Sequence, residues 1–189
     1  MSKPKLEKFD ELVECFGKLP GVGKKSALKY AYHAALGDPF LGLNLAHTIE
    51  DAVRFLRRCE RCGAISENEI CDICADEGRE RETLLVVGDP KDVLTIENSG
   101  SYGGLYFVFE NTERIDALRE NIARGEVREV IFAFTPGLGG DALMLFIESE
   151  LAGLGLKFTK IAQGIPTGVS LDNVDMLSLS KAIKDRNGI

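Results

Sequence analysis

The sequence predicts a multi-part α/β chain: a helical N-terminal part, a small metal knuckle, a parallel sheet with helices on both faces, and a closing loop and helix. Three observations carry this. Apolar residues recur at helical spacing up to residue 57, broken once by "GKLPGVG". Four cysteines follow in two C-x2-C pairs, and from Thr83 onward short apolar runs alternate with helical patterns, as buried parallel strands and their crossover helices do.

Taken in order, Leu6, Phe9, Leu12, Val13 and Phe16 mark a first helix, and a second runs from about Lys24 to Leu36. A third covers Leu41 to Arg57, with Leu45, Ile49, Ala52, Val53 and Leu56 expected inward. Cys15 occupies an apolar position of the first helix and reads as a small buried hydrophobe. "DEGRERE" at 76–82 marks a boundary, after which strands are expected at 84–88, 105–109 and 129–134, with helices near 89–98, 113–124 and 139–153. The tail reads as a strand, a Gly/Pro loop and a helix from about Asn173 to Arg186. No internal repeat or low-complexity tract interrupts it.

Composition narrows the function classes. With 44% apolar residues over 189 positions the chain can bury real cores. "MSKPKLEKFD" is charged and lacks an apolar signal core, and no run is long enough to span a bilayer, so a cytosolic protein with reduced thiols is expected, without membrane contact. The net charge of −7 argues against a chain coated by nucleic acid. Residues 1–30 differ, carrying seven lysines (3, 5, 8, 18, 24, 25, 29) against four acids (7, 10, 11, 14). An ordinary solvated helix face would show the same excess.

In a reducing compartment, "CERCGAISENEICDIC" is better read as four thiolates on one zinc ion than as two disulfides, redox dithiols or a chance cluster. Each C-x2-C half brings two sulfurs of one knuckle to the same ion, so Cys59, Cys62, Cys71 and Cys74 form the expected set. Four ligands leave no open position, which makes the ion structural and not catalytic.

"LPGVGKKSALKYAYH" reads as helix, hairpin, helix. Gly21 and Gly23 are expected to permit positive φ and close backbone approach, so that free amides at the second helix's start meet a phosphate beside Lys24, Lys25 and Lys29. Such a helix-hairpin-helix grips the DNA backbone without reading bases; the alternative is a hairpin that merely packs. A phosphate loop is excluded, because that pattern needs glycine where Lys18 stands and Ser or Thr where Lys25 stands.

In their order, "LPGVGKKSALKYAYH", the four-cysteine segment, "LLVVGDPKDVLTIENSGSYGGLYFVF" and "IAQGIPTGVSLDNVDMLSLSKAI" resemble the RecR family of bacterial recombination mediators over nearly the whole chain. The resemblance implies a helix-hairpin-helix DNA-binding domain at 1–56, a four-cysteine zinc finger at 57–78, a Toprim-like α/β domain at 79–162, and a Walker-B-like oligomerisation segment at 163–189. It further implies dimeric or tetrameric rings around DNA, cooperation with RecO and RecF in loading recombinase, and DNA contacts at Lys25 and Lys29.

Departures from the family bear on chemistry. The Toprim glutamate position falls on Gly88, beside Asp89, and the later acidic cluster falls on Thr135, Gly137 and Gly139, leaving Asp141. Two-metal phosphoryl chemistry needs more oxygen ligands than this, so no catalysis is expected. A metal-dependent nucleic-acid enzyme is the alternative, and a purely protein-binding scaffold leaves the lysine-flanked hairpin unexplained. The loop after the second strand is shortened to "ENTER". Asp172 and Asp175 resemble a Walker B acid, but without a phosphate loop the better reading is a helix-start cap by Asp172 or Asn173, with Asp175 in the first turn favoured by the dipole. His33 and His47 have no catalytic partner in sequence.

Overall fold

The structure, a computed structural model, describes residues 6–162, 164, 165 and 167–184. Lys3, Lys5 and the expected helix end at Arg186 lie outside the described residues. The chain divides between Leu56 and Arg57 into two units. No helix among the described residues is long and apolar enough to cross a membrane.

The first unit holds α1 (Glu7–Gly17), α2 (Lys24–Tyr32) and α3 (Pro39–Phe55). Small residues let α1 and α2 approach closely: Ala27 and Ala31 are the buried residues of α2, and Phe16 meets Tyr30 edge-on with ring centroids 5.9 Å apart. The expected continuation of α2 to Leu36 becomes a π-turn over His33–Gly37, after which Asp38 caps α3 by accepting from the Leu41 amide at 3.0 Å, with Pro39 opening the helix.

Two expectations fail in this unit. Cys15 is exposed rather than buried, and of the five residues expected inward on α3 only Ala52 is even half-buried. Phe40, Leu43 and Val53 are 84, 74 and 78% exposed. The physical reason is that three short helices cannot wrap each other completely. A periodic apolar stripe records that a helix is covered, not by what.

The second unit begins with a hairpin of β1 (Arg57–Arg58) and β2 (Ile65–Ser66), then a short helix α4 (Asp72–Ala75). It continues through β3 (Thr83–Val87), α5 (Pro90–Ser99), β4 (Leu105–Val108), α6 (Ile115–Arg124), β5 (Glu129–Ala133), α7 (Leu138–Glu150) and β6 (Lys157–Lys160). The four long strands pair in parallel in the order β4-β3-β5-β6, so the chain reverses direction across the sheet after β4. A crevice at the carboxyl ends of β3 and β5 is the consequence.

Both faces of β3, β4 and β5 are buried, which is why these strands read as apolar runs, whereas the edge strand β6 is exposed at both lysines. Leu84, Val86, Phe107, Val130 and Phe132 face one way and pack with Leu118 and Ile122 of α6 and with Ile147 of α7. Leu85, Val87, Tyr106 and Val108 face the other way. There they meet Val93 of α5 and, in place of a second helix, all four cysteines of the knuckle. Each large side chain fully buried here contributes about 1.5–3 kcal/mol.

Gly104 is fixed by close approach. A Cβ there would fall 2.3 Å from both the Tyr102 hydroxyl and Thr83 Oγ1. The Tyr102 hydroxyl shares its one proton between the carbonyls of Thr83 at 3.0 Å and Leu105 at 2.9 Å, locking the entry of β4 beside β3.

The tail differs from expectation in detail. Leu171–Asn173 form a 3-10 turn, and α8 runs Met176–Lys184. Its cap is Asp175, whose carboxylate accepts from the amides of Leu177 at 3.1 Å and Ser178 at 2.9 Å.

Candidate functional site

The knuckle brings its four sulfurs together from two tight turns. Cys59 and Cys62 flank the turn out of β1, where the Gly63 amide donates to the Cys59 carbonyl and the Cys59 amide to the Ala64 carbonyl, both at 2.8 Å. Cys71 and Cys74 bracket the first turn of α4. All four are buried, and their sulfurs lie within 4.8 Å of one another. Cys62 and Cys71 Sγ stand 3.6 Å apart. Four sulfurs at about 2.3 Å from one zinc sit about 3.8 Å from each other, so the set fits a tetrahedral zinc site.

Backbone amides already point at the sulfurs: Cys71 N lies 3.3 Å from Cys59 Sγ, and Ala64 N lies 3.5 Å from Cys62 Sγ. Crowding splits the thiols' proton affinities. Hydrogen bonding from Cys62 holds Cys59 far below the usual thiol range, while Cys59 pushes Cys62 and Cys74 up. Cys59 also pulls Cys71 upward, yet Cys62 and Cys74 bring it down to about 7. Zinc takes each cysteine as its thiolate, so loading this site releases the protons the four sulfurs hold.

The knuckle is stitched to the sheet. The Cys62 carbonyl accepts from the amide of Val108 at 2.8 Å, which occupies an outward-facing amide at the end of β4. Arg61 donates through Nη1 to the Cys74 carbonyl at 2.8 Å, and its own carbonyl accepts from Asn121 Nδ2 on α6 at 3.1 Å. Sequence reading missed Arg61 and Asn121; Asn121 is remote in sequence and belongs to no motif, so nothing short of the fold places it here.

In the first unit the hairpin between α1 and α2 is closed by the Val22 amide donating to the Leu19 carbonyl at 3.1 Å. Gly21 has φ +78°, a left-handed turn that favours glycine. Gly23 does not share this: its φ is −81°, and it serves as the N-cap of α2. With no side chain, Gly23 supplies no cap hydrogen bond, and the first turn of α2 contains no acid. The helix therefore presents uncapped amides, with nothing within 4 Å of where a Gly23 Cβ would stand. Lys24, Lys25 and Lys29 are exposed around this end, Lys25 and Lys29 one turn apart on the same helical face.

The crevice at the strand ends is poor in carboxylates. Asp89 caps α5, accepting from the Lys91 amide at 2.8 Å, and that bond holds its carboxyl below the ordinary range. Asp141 sits in the first turn of α7 and lines a cleft with Asp175, Lys181 and Lys184. Hydrogen bonds from Ser178 and from the Ser170 hydroxyl lower Asp175 and Asp172 respectively. Among the described residues, the four cysteines are the one group of three or more His, Cys, Asp or Glu placed to hold an ion. His33 is exposed, and exposed His47 pairs with Asp51 at 3.3 Å.

Comparison with known proteins agrees with this layout. Family models for the RecR helix-hairpin-helix, the RecR four-cysteine zinc finger domain and the Toprim domain match residues 9–53, 56–76 and 82–162. The chain is 56% identical over 186 residues to "Recombination protein RecR" of a Nitratiruptor species and 51% identical over 186 residues to that of Campylobacter jejuni. Each alignment covers 97% of this chain and 98% of the relative. A Helicobacter pylori protein of the same name is 46% identical over 97% of this chain and 96% of its own. Sharing half or more of its aligned residues with two such relatives, and matched in order by three such models, the chain belongs to the RecR family.

Proposed function

We propose that the chain is a non-enzymatic recombination mediator that clamps DNA as a homo-oligomer in recombinational repair. The observation that carries this is the uncapped, acid-free start of α2 ringed by Lys24, Lys25 and Lys29 in a chain whose net charge is −7. An anion seated there meets free amides and ammonium groups together, and phosphate backbone of any sequence satisfies them. Relatives named as recombination proteins support the repair context.

In this reading 1–56 grips DNA, 57–78 and 79–162 form the rigid body, and 163–189 contributes to subunit contacts. The uncovered apolar side chains of α3 support a second copy as their cover, giving a dimer or tetramer around DNA. RecO, RecF or both are the partners in recombinase loading, and the site of action is the cytoplasmic nucleoid. One copy binds weakly; several sites on one ring act together because closure raises effective concentration.

Solution mass tests the clamp. The free protein is expected as a dimer or tetramer, and the complex with duplex DNA as a whole number of such rings. A monomer that stays monomeric on DNA contradicts the proposal.

The enzyme alternative keeps one foothold, Asp141 beside the strand-end crevice. With Mg2+ or Mn2+, strand cleavage and nucleotidyl transfer are expected at background. Turnover lost in Asp141→Asn would reinstate that alternative.

A further inference from the structure

Beyond its four sulfurs, the knuckle has gathered arginines. We propose that Arg61 and Arg114, with Arg58 at the rim, are the electrostatic counterparts of the zinc–thiolate cluster and set how tightly the ion is held. The inference rests on the zinc assignment and is independent of DNA binding.

Four thiolates around a dication leave a dianion, and here it lies in an apolar cluster with Leu85, Val87 and Val108. Charge buried in such surroundings needs opposite charge or directed dipoles. The amides of Cys71 and Ala64 supply part of the compensation. The arginines are placed to supply the remainder.

Arg61 stands between Cys59 and Cys62 in sequence and binds the Cys74 carbonyl, spanning both halves of the knuckle. Arg114 comes from the 3-10 turn Thr112–Arg114 that follows the shortened loop after β4. Its guanidinium lies 5.0 Å over the Phe107 ring and reaches within 2.8 Å of where a Gly63 Cβ would stand, so Gly63 is the gap that admits it. Arg58 donates through Nη1 to the Gly63 carbonyl at 3.2 Å, while its Nη2 pairs with Glu110 at 2.9 Å.

Arg61 and Arg114 share an oddity. The Nε of each is buried without a hydrogen-bond acceptor. Sealing such a donor away from water is costly, and more so when it is charged. A neighbouring dianion offsets that cost without needing an acceptor in hydrogen-bond contact. The acids of the finger, Glu60, Glu67, Glu69, Asp72, Asp76 and Glu77, are all exposed and face solvent rather than the arginines' buried ends.

The test uses the full zinc-loaded protein and the rate at which zinc passes to a chromogenic chelator. Arg61→Gln and Arg114→Gln are expected to release zinc about ten- to a hundred-fold faster, the usual span for groups that tune a metal's ligands. Arg58→Gln is expected to have a smaller effect, because Glu110 already takes part of that charge. Arg61→Lys and Arg114→Lys, which keep the charge but not the fork, should stay near wild type. Circular dichroism of the loaded forms checks folding, and should Arg61→Gln not fold, the Arg114 pair decides. Release at the wild-type rate from the Gln variants overturns the proposal. So does release from the Lys variants as fast as from their Gln counterparts, since packing and not charge would then be at work.

Discussion

Cys62→Ala is expected to abolish zinc binding and lower the melting temperature by about 10 °C or more, since each kcal/mol lost moves a unit of this size about 2–4 °C. Cys62 is 0% exposed, and its carbonyl carries the finger's bond to the Val108 amide of β4. Structural zinc contributes about 10–16 kcal/mol of apparent binding energy in isolated fingers, as much as the whole net stability of a typical domain. Three remaining thiols leave the fourth position to water, which holds the ion far less firmly than a closed set of four, and the knuckle has few apolar residues with which to hold its shape alone. Because its cysteines are part of one apolar cluster with Leu85, Tyr106 and Val93, the loss reaches the sheet. Elemental analysis should fall from one zinc per chain to none. Stripping the wild type with a chelator should reproduce the lowered melting, and added zinc should restore the wild type but not the variant. A metal-free variant that melts with the wild type would remove zinc from the stability of this unit.

Lys25→Glu combined with Lys29→Glu is expected to abolish retention of duplex DNA at moderate salt while fold and oligomer persist. Both side chains are exposed, so reversing them disturbs no core. Each lysine–phosphate contact contributes about 0.9 to the slope of log affinity against log salt. Removing two flattens the slope by about 2 per subunit engaged, and affinity falls by about a hundred-fold or more once several subunits act together. The same pair changed to Gln should weaken binding less, because it removes attraction without adding repulsion. Wild-type retention by the Glu variant would take this hairpin out of the mechanism.

Much of this fold is written in local pattern. The strands at Thr83–Val87, Leu105–Val108 and Glu129–Ala133 lie where the apolar runs place them, because a strand buried on both faces leaves no polar residue to confuse its extent. The cysteine spacing is equally direct, since it encodes a ligand set. What stays hidden depends on partners remote in sequence. The stripe on α3 is periodic, yet periodicity cannot say whether the cover comes from this chain. Asp175 and Asp89 look like candidate metal ligands as letters, and only their amide partners show them to be helix caps. Gly23 reads like Gly21 but adopts an extended backbone, because an N-cap needs no left-handed turn. Arg114 meets Gly63 across a distance no spacing rule spans.

The bond from Val108 to Cys62 also limits growth. An outside strand pairing along β4 would have to displace the finger at that amide, so this margin of the sheet resists extension where the knuckle meets it.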